Sequence, residues 1–189
     1  MVCRIKIKSL LLFFGMFVKT SRSFKFFLPG IALLVLASCS LKRAALNQDI
    51  SFKIPADSKQ ITRDQLDENT KSHQAADQFF VYNGVFLAMN INHDSVVKTL
   101  SLEKQLARMK YIRKDLFKIE SAEIRTIKGN RFIVMDYYHP GKQLNVYTFF
   151  NDYERNRIVV DGTIQYNKAT QKKDADKLLE VVLSSLKGK

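Results

Sequence analysis

The sequence has no tryptophan, and its 189 residues include only 7 glycines, 3 prolines, 3 histidines and 2 cysteines. So little glycine and proline excludes collagen-like repeats and Pro/Gly-rich low-complexity sequence. Both cysteines, Cys3 and Cys39, fall before residue 40, so the rest of the chain has no disulfide, CxxC pair or cysteine metal site. His73, His93 and His139 show no HxxxH or HExxH spacing, whereas a metal needs at least three converging ligands. Each histidine is therefore expected to be solvated or satisfied locally, and no metal or cofactor is expected. There is no Gly-rich phosphate loop, GxSxG elbow or EF-hand pattern, and no serine has a histidine or lysine placed to activate it. The expectation is a protein without catalytic chemistry.

Charge is abundant, with a formal net value of +13. Taken whole, that points to nucleic acid. Arg4, Lys6, Lys8, Lys19, Arg22 and Lys25 precede Cys39 with no acidic residue among them, which leaves 25 basic and 18 acidic residues, about +7, in the remainder. Much of the charge thus belongs to a targeting segment, and no nucleic-acid partner is expected. Within that segment, Lys19–Lys25 is basic, Phe26–Leu36 is almost wholly apolar and Leu36-Ala37-Ser38-Cys39 follows. This is the order of a secretory signal, and its apolar run is too short for a comfortable membrane span. A second apolar run, Leu10–Val18, lies ahead of it; a translation start at Met16 gives a signal of ordinary length.

Leu36-Ala37-Ser38-Cys39 resembles a lipobox. The resemblance implies that Cys39 receives a diacylglycerol on its sulfur, with palmitate-type acyl chains, and becomes the N-terminus after cleavage. Each buried methylene contributes ~0.8 kcal/mol, so two or three acyl chains anchor durably. Among lipoproteins of this kind an aspartate after the cysteine directs retention at the inner membrane; Ser40 stands there instead. The expectations are a signal segment over 1–39, a tether over 40–49 and one domain over 50–189. The anchor is expected on the periplasmic side, with the outer membrane favoured over the inner, and an envelope protein as partner.

Within the domain, Ile50–Ile54 alternates and is stopped by Pro55, as an edge strand would be. Gln78–Tyr82 and Val85–Ile91 flank Asn83-Gly84, the type I′ hairpin signal. Ser101–Leu116 places Leu102, Leu106, Met109, Ile112 and Leu116 at helical spacing, with Lys104, Arg108, Lys110 and Lys114 mostly opposite. Lys118–Lys128, Arg131–Tyr138, Gln143–Phe150 and Arg157–Tyr166 read as strands of an antiparallel meander, joined by Gly129-Asn130, Pro140-Gly141 and Asn151–Asn156. Arg131–Tyr138 is apolar enough to be covered on both faces. Asp161-Gly162 reads as a bulge or a turn within its strand. Asp174–Lys187 reads as a closing helix, with Asp174 and Asp176 near its positive end and Lys187 near its negative end. The fold class is α+β: an antiparallel sheet packed by helices.

Asp136, Tyr137, Tyr138 and His139 are the nearest thing to an acid/base group. Alternation divides them, Asp136 and Tyr138 to one face, Tyr137 and His139 to the other. A buried carboxylate bonded to a tyrosine hydroxyl is the better reading. The basic side of the Ser101–Leu116 helix is read as a solvated face, with contact to anionic headgroups as its alternative.

The opening strand ending in Ile54-Pro55, the turn and strand Lys128-Gly129-Asn130-Arg131-Phe132-Ile133-Val134, and the closing Leu178–Lys187 segment together resemble the PsbP-like group. That group includes PsbP, the Ran-binding Mog proteins and the bacterial lipoprotein DcrB. Ala56-Asp57-Ser58 stands where an aromatic often follows the early proline. The resemblance implies a three-layer α/β/α sandwich that binds or assists assembly without chemistry of its own. The alternative function is carriage of a small apolar or lipid ligand, with Gln78–Tyr82 and Gln143–Phe150 as pocket walls. A hydrolase would need carboxylates converging in a groove, and none is indicated.

Overall fold

The computed structural model describes residues 41–92, 100–152 and 158–187. In chain order these form β1 (Leu41–Ala45), β2 (Ser51–Pro55), β3 (Lys59–Ile61), β4 (Gln78–Tyr82), β5 (Val85–Asn92), α1 (Leu102–Arg113), β6 (Lys118–Ile127), β7 (Asn130–His139), β8 (Leu144–Asn151), β9 (Val159–Tyr166) and α2 (Lys168–Ser185). Strands β3 to β9 make one antiparallel sheet in the order β3-β4-β5-β9-β8-β7-β6, and β1 and β2 pair as a separate ribbon. The segment expected to be a bare tether thus contains β1. Its pairing partner, β2, buries Phe52 and Ile54; one edge of β2 pairs with β1, and the other bonds the Lys187 backbone and Ser185 Oγ.

Local chemistry sets the turns. Asn83 and Gly84 both have positive φ, 48° and 78°, as the expected type I′ hairpin between β4 and β5 requires. Lys128 and Gly129 repeat that geometry at 50° and 80°, so the β6–β7 turn lies one residue earlier than expected. A bulge between Ile119 and Ser121 interrupts β6, and Glu120 there pairs with Lys168 at the start of α2.

At Asp161-Gly162 the expected bulge is absent. Strand β9 runs in unbroken register with β5 and β8 through both residues. The glycine serves packing instead: a Cβ at 162 would lie 2.2 Å from Phe149 Cζ and 2.8 Å from Met89 Sδ.

Alternation along β7 divides the core. Phe132 and Val134 face α2 and the ribbon, where Ala175, Leu178, Leu179, Val182 and Leu183 meet Phe52, Ile54, Phe80, Leu87, Met89 and Phe149. Ile133, Met135 and Tyr137 face the other way, towards Leu102, Leu106 and Met109 of α1. Further along that second face, Leu66 and Ala76 cover Phe79, Phe86 and Ala88. The arrangement is an α/β/α sandwich with both faces of β7 covered, as its composition predicts.

Helix α2 begins six residues before the expected Asp174. Asn167 caps it by accepting from Ala169 N (2.9 Å), while Gln171 Oε1 accepts from Asn167 N (2.7 Å). The first turn, Lys168-Ala169-Thr170-Gln171, has almost no apolar residue to reveal it. Asp174 and Asp176 consequently sit inside the helix, away from its positive end, and Lys187 lies beyond its last turn. Helix α1 also differs from expectation. It ends at Arg113, whose guanidinium lies 5.3 Å from the Tyr137 ring centre, and Ile112 and Leu116 are turned outward.

Candidate functional site

Cys39 and the signal segment, the residues on which the sequence places a lipid anchor, lie outside the described residues, as does His93. Among the described residues no helix is long and apolar enough to cross a membrane. Strand β1 starts two residues after Cys39.

Asp136 resolves as a structural group. Its carboxylate is 4% exposed and faces the Tyr166 hydroxyl, at 2.9 Å from Oδ1 and 2.8 Å from Oδ2. Asn145 Nδ2 approaches Oδ1 at 3.5 Å. Burial pushes the Asp136 carboxyl above the usual carboxylate range, against the pull of Tyr166 and Asn145. The Tyr166 ring stacks on Tyr147 at 5.2 Å, and the Tyr147 hydroxyl donates to Asp176 Oδ1 at 2.6 Å. Lys172 donates to both Tyr147 and Asp176. The result is a clasp tying β7, β8 and β9 to α2. A general acid must reach its substrate, and this carboxylate is enclosed.

His73 is likewise committed. His73 packs on Phe86 (5.7 Å between ring centres), and Gln165 Nε2 lies 2.7 Å from its Nε2. The ring can accept there only when neutral with its proton on Nδ1. Burial, reinforced by the Lys142 charge, holds its pKa down to about 4. Lys142 donates to Asn69 O and, at 2.8 Å, to Ser72 Oγ, fastening the 62–77 segment to the β7–β8 turn. The His139 ring packs tilted against Phe117 at 4.9 Å, and its buried Nδ1 has no hydrogen-bond partner among the described residues. Among the described residues no three histidine, cysteine or acidic side chains could hold a metal.

The strands considered as pocket walls, β4 and β8, send Phe80, Tyr82, Tyr147 and Phe149 into the core beneath α2. A groove of about 420 Å3 runs between Ile61, Phe86, Asn69 and Gln165, with polar and apolar groups mixed.

The most conspicuous surface is the outer side of α1. Tyr111, Ile112 and Leu116 are 71%, 54% and 62% exposed. Arg108 and Ile112 are four residues apart on α1 and so share one side of it, and Leu116 is exposed in the turn that follows the helix. Sequence periodicity assigned Ile112 and Leu116 to the core. The signal available was the pair Arg113 and Lys114, which crowds the end of the expected buried stripe with charge.

No family model and no curated protein matches the sequence. Solved structures do. The solution structure of cyanobacterial PsbP (CyanoP) from Synechocystis sp. PCC 6803 superposes with a TM-score of 0.53 at 15% identity, covering 79% of this chain and 93% of that one. The chain has a PsbP-like fold. A crystal structure of a protein of unknown function, PA94, from Pseudomonas aeruginosa also matches, at a TM-score of 0.42 and 12% identity, over 75% of this chain and 95% of that one. The PsbP-like expectation therefore holds at the level of fold, with mixed α+β layers, an antiparallel sheet and two helices.

Proposed function

We propose that the protein is a lipoprotein acylated at Cys39 on the periplasmic side of a membrane, the outer membrane in preference to the inner. Its PsbP-like domain is a non-enzymatic module that binds an envelope protein during assembly or maintenance. The observation that carries the binding role is the set of exposed apolar side chains at the end of α1, Tyr111, Ile112 and, in the turn after it, Leu116, with Arg108 one turn before Ile112. Tyrosine and arginine are enriched among the residues that anchor interfaces, and a contiguous apolar patch on a monomer marks a contact surface. Support for a non-catalytic role comes from Asp136, His73 and His139, whose side chains are engaged in the protein's own packing. Fold alone does not assign function, so the argument rests on this surface.

A photo-crosslinking residue placed at Tyr111 or Ile112 in intact cells should capture one envelope protein, while the same residue at exposed Lys173 on α2 should not. Equal capture from all three positions, or none, would overturn the binding surface. The anchor has its own test. Cys39→Ala should yield an unacylated chain that no longer floats with membranes, and ordinary flotation of that variant would remove the lipoprotein reading.

A further inference from the structure

A second surface feature lies at the ribbon, on the side of the sheet opposite α1. Arg43, Lys53, Lys128 and Lys187 line a groove of about 260 Å3 together with Ser51, Phe52, Ser184 and Ser185. Among the described residues, four cations and no carboxylate line it. None of the four forms a salt bridge among the described residues.

The groove is held in shape by the fold. Ser51 and Lys187 exchange backbone bonds of 3.0 and 2.8 Å, Lys53 N donates to Ser185 Oγ at 2.8 Å, and Arg43 Nη2 donates to Ser51 Oγ at 2.8 Å. Lys187 is explained by its place just beyond the negative end of α2. The other three are not. Arg43 and Lys53 stand directly opposite each other in the β1–β2 register, and like charges in that relation destabilise a strand pair. Lys128 comes from the β6–β7 turn, far away in sequence, and adds to the same field. An anion between them would convert this repulsion into attraction.

The chain itself indicates which anion. Arg43 is four residues after Cys39, a reach of at most about 14 Å in fully extended backbone. A lipid-anchored domain therefore keeps this groove near the headgroup layer. We propose that the groove is a docking site for the phosphate of anionic phospholipid headgroups, orienting the domain so that the α1 patch points away from the membrane. This rests on the lipoprotein reading. Each well-placed cation near an anionic surface strengthens binding roughly fivefold, and salt weakens it.

The test uses the full chain reconstituted in vesicles of phosphatidylcholine alone or of phosphatidylcholine with phosphatidylglycerol. Lysine acetylation is read residue by residue by mass spectrometry, with Lys173 as control. Protection of Lys53, Lys128 and Lys187 by severalfold in anionic vesicles only, reversed by salt, is the expected result. Arg43→Gln with Lys128→Gln should abolish protection at Lys53 and Lys187 and leave Lys173 unchanged. Equal reactivity in both vesicles overturns the proposal, as does protection that moves to Lys104, Lys110 and Lys114 on α1. Inorganic phosphate protecting the same lysines on neutral vesicles would make this a free-phosphate site and overturn the lipid assignment. Protection seen only in native envelopes would give the groove to an acidic protein, with the same consequence. If mass spectrometry finds Cys39 unacylated, the anchor reading falls by itself. Sedimentation with phosphatidylglycerol vesicles that depends on Arg43 and Lys128 would then still sustain the groove, and its absence would remove it.

Discussion

The two helices of this domain do different work. Helix α2 sinks Ala175, Leu178, Leu179, Val182 and Leu183 into the main core, with none more than 2% exposed. Helix α1 buries Leu102 and Gln105, half-buries Leu106 and Met109, and turns Tyr111 and Ile112 to solvent, with Leu116 exposed in the turn that follows. Apolar side chains at helical spacing can therefore either hold a fold together or be left available for another surface. Which one applies depends on what stands opposite: α2 faces the broad middle of the sheet and the ribbon, whereas α1 lies against β6 and β7 near the sheet edge.

The comparison is best broken by truncating one apolar residue on each helix. Leu178→Ala should cost about 2–5 kcal/mol, because its fully enclosed site cannot collapse. Leu106→Ala, half-buried on α1, should cost clearly less. Chemical denaturation measures both, and equal losses would mean that α1 is as much a core element as α2.

His73 sharpens the contrast on the second face. Its pKa is about 4 in the fold against an ordinary value of 6.5, so between these values the unfolded chain holds a proton that the folded one lacks. Stability from this group is complete above pH 6.5 and is lost as pH falls towards 4, by up to about 3 kcal/mol before allowance for its partial exposure. Asp136 and Asp161, raised by burial, act with the opposite sign and become less destabilising as pH falls. The measurement is therefore the difference between wild type and His73→Gln across pH 7 to 4. The variant should lose less stability on acidification, and parallel curves would place His73 in water.

Much of this was legible in the sequence. The Asn83-Gly84 turn, the four-strand meander, the doubly covered β7 and the α+β class all follow from residue types whose local preference agrees with the final fold. The partner of Asp136 was legible only in kind. A tyrosine hydroxyl was expected, but Tyr166 lies 30 positions away, and strand alternation within one segment cannot select it. The groove of Arg43, Lys53, Lys128 and Lys187 was hidden for the same reason. Four segments contribute to it, and one of them, β1, lay within the expected tether. Gly162 was misread because glycine in a strand signals either a bulge or a close approach, and only Phe149 across the sheet decides between them.

The clasp on the α2 side gives a smaller effect. Tyr166→Phe removes the hydroxyl that faces both Asp136 oxygens and should cost about 1–3 kcal/mol at neutral pH, the cost of stranding a buried acceptor. The loss should shrink in acid, where Asp136 is protonated. Tyr147→Phe should cost less, since Lys172 still reaches Asp176. Denaturation of the two variants at two pH values checks this. A pH-independent loss for Tyr166→Phe would mean that packing, rather than the hydrogen bond, is what Tyr166 supplies.

The smallest effect on stability belongs to the α1 patch, and there the smallness is the point. Tyr111→Ser with Ile112→Ser removes two exposed apolar side chains that contribute little to the core, so unfolding free energy should change by no more than about 0.5 kcal/mol each. Crosslinking from a probe at Leu116 to the envelope partner should nevertheless fall severalfold, because the same side chains would supply the interface with its apolar centre. A stable variant with undiminished crosslinking would remove α1 as the contact. A loss of several kcal/mol would instead show that the patch is already covered within the protein, and α1 and α2 would then be two versions of the same core helix.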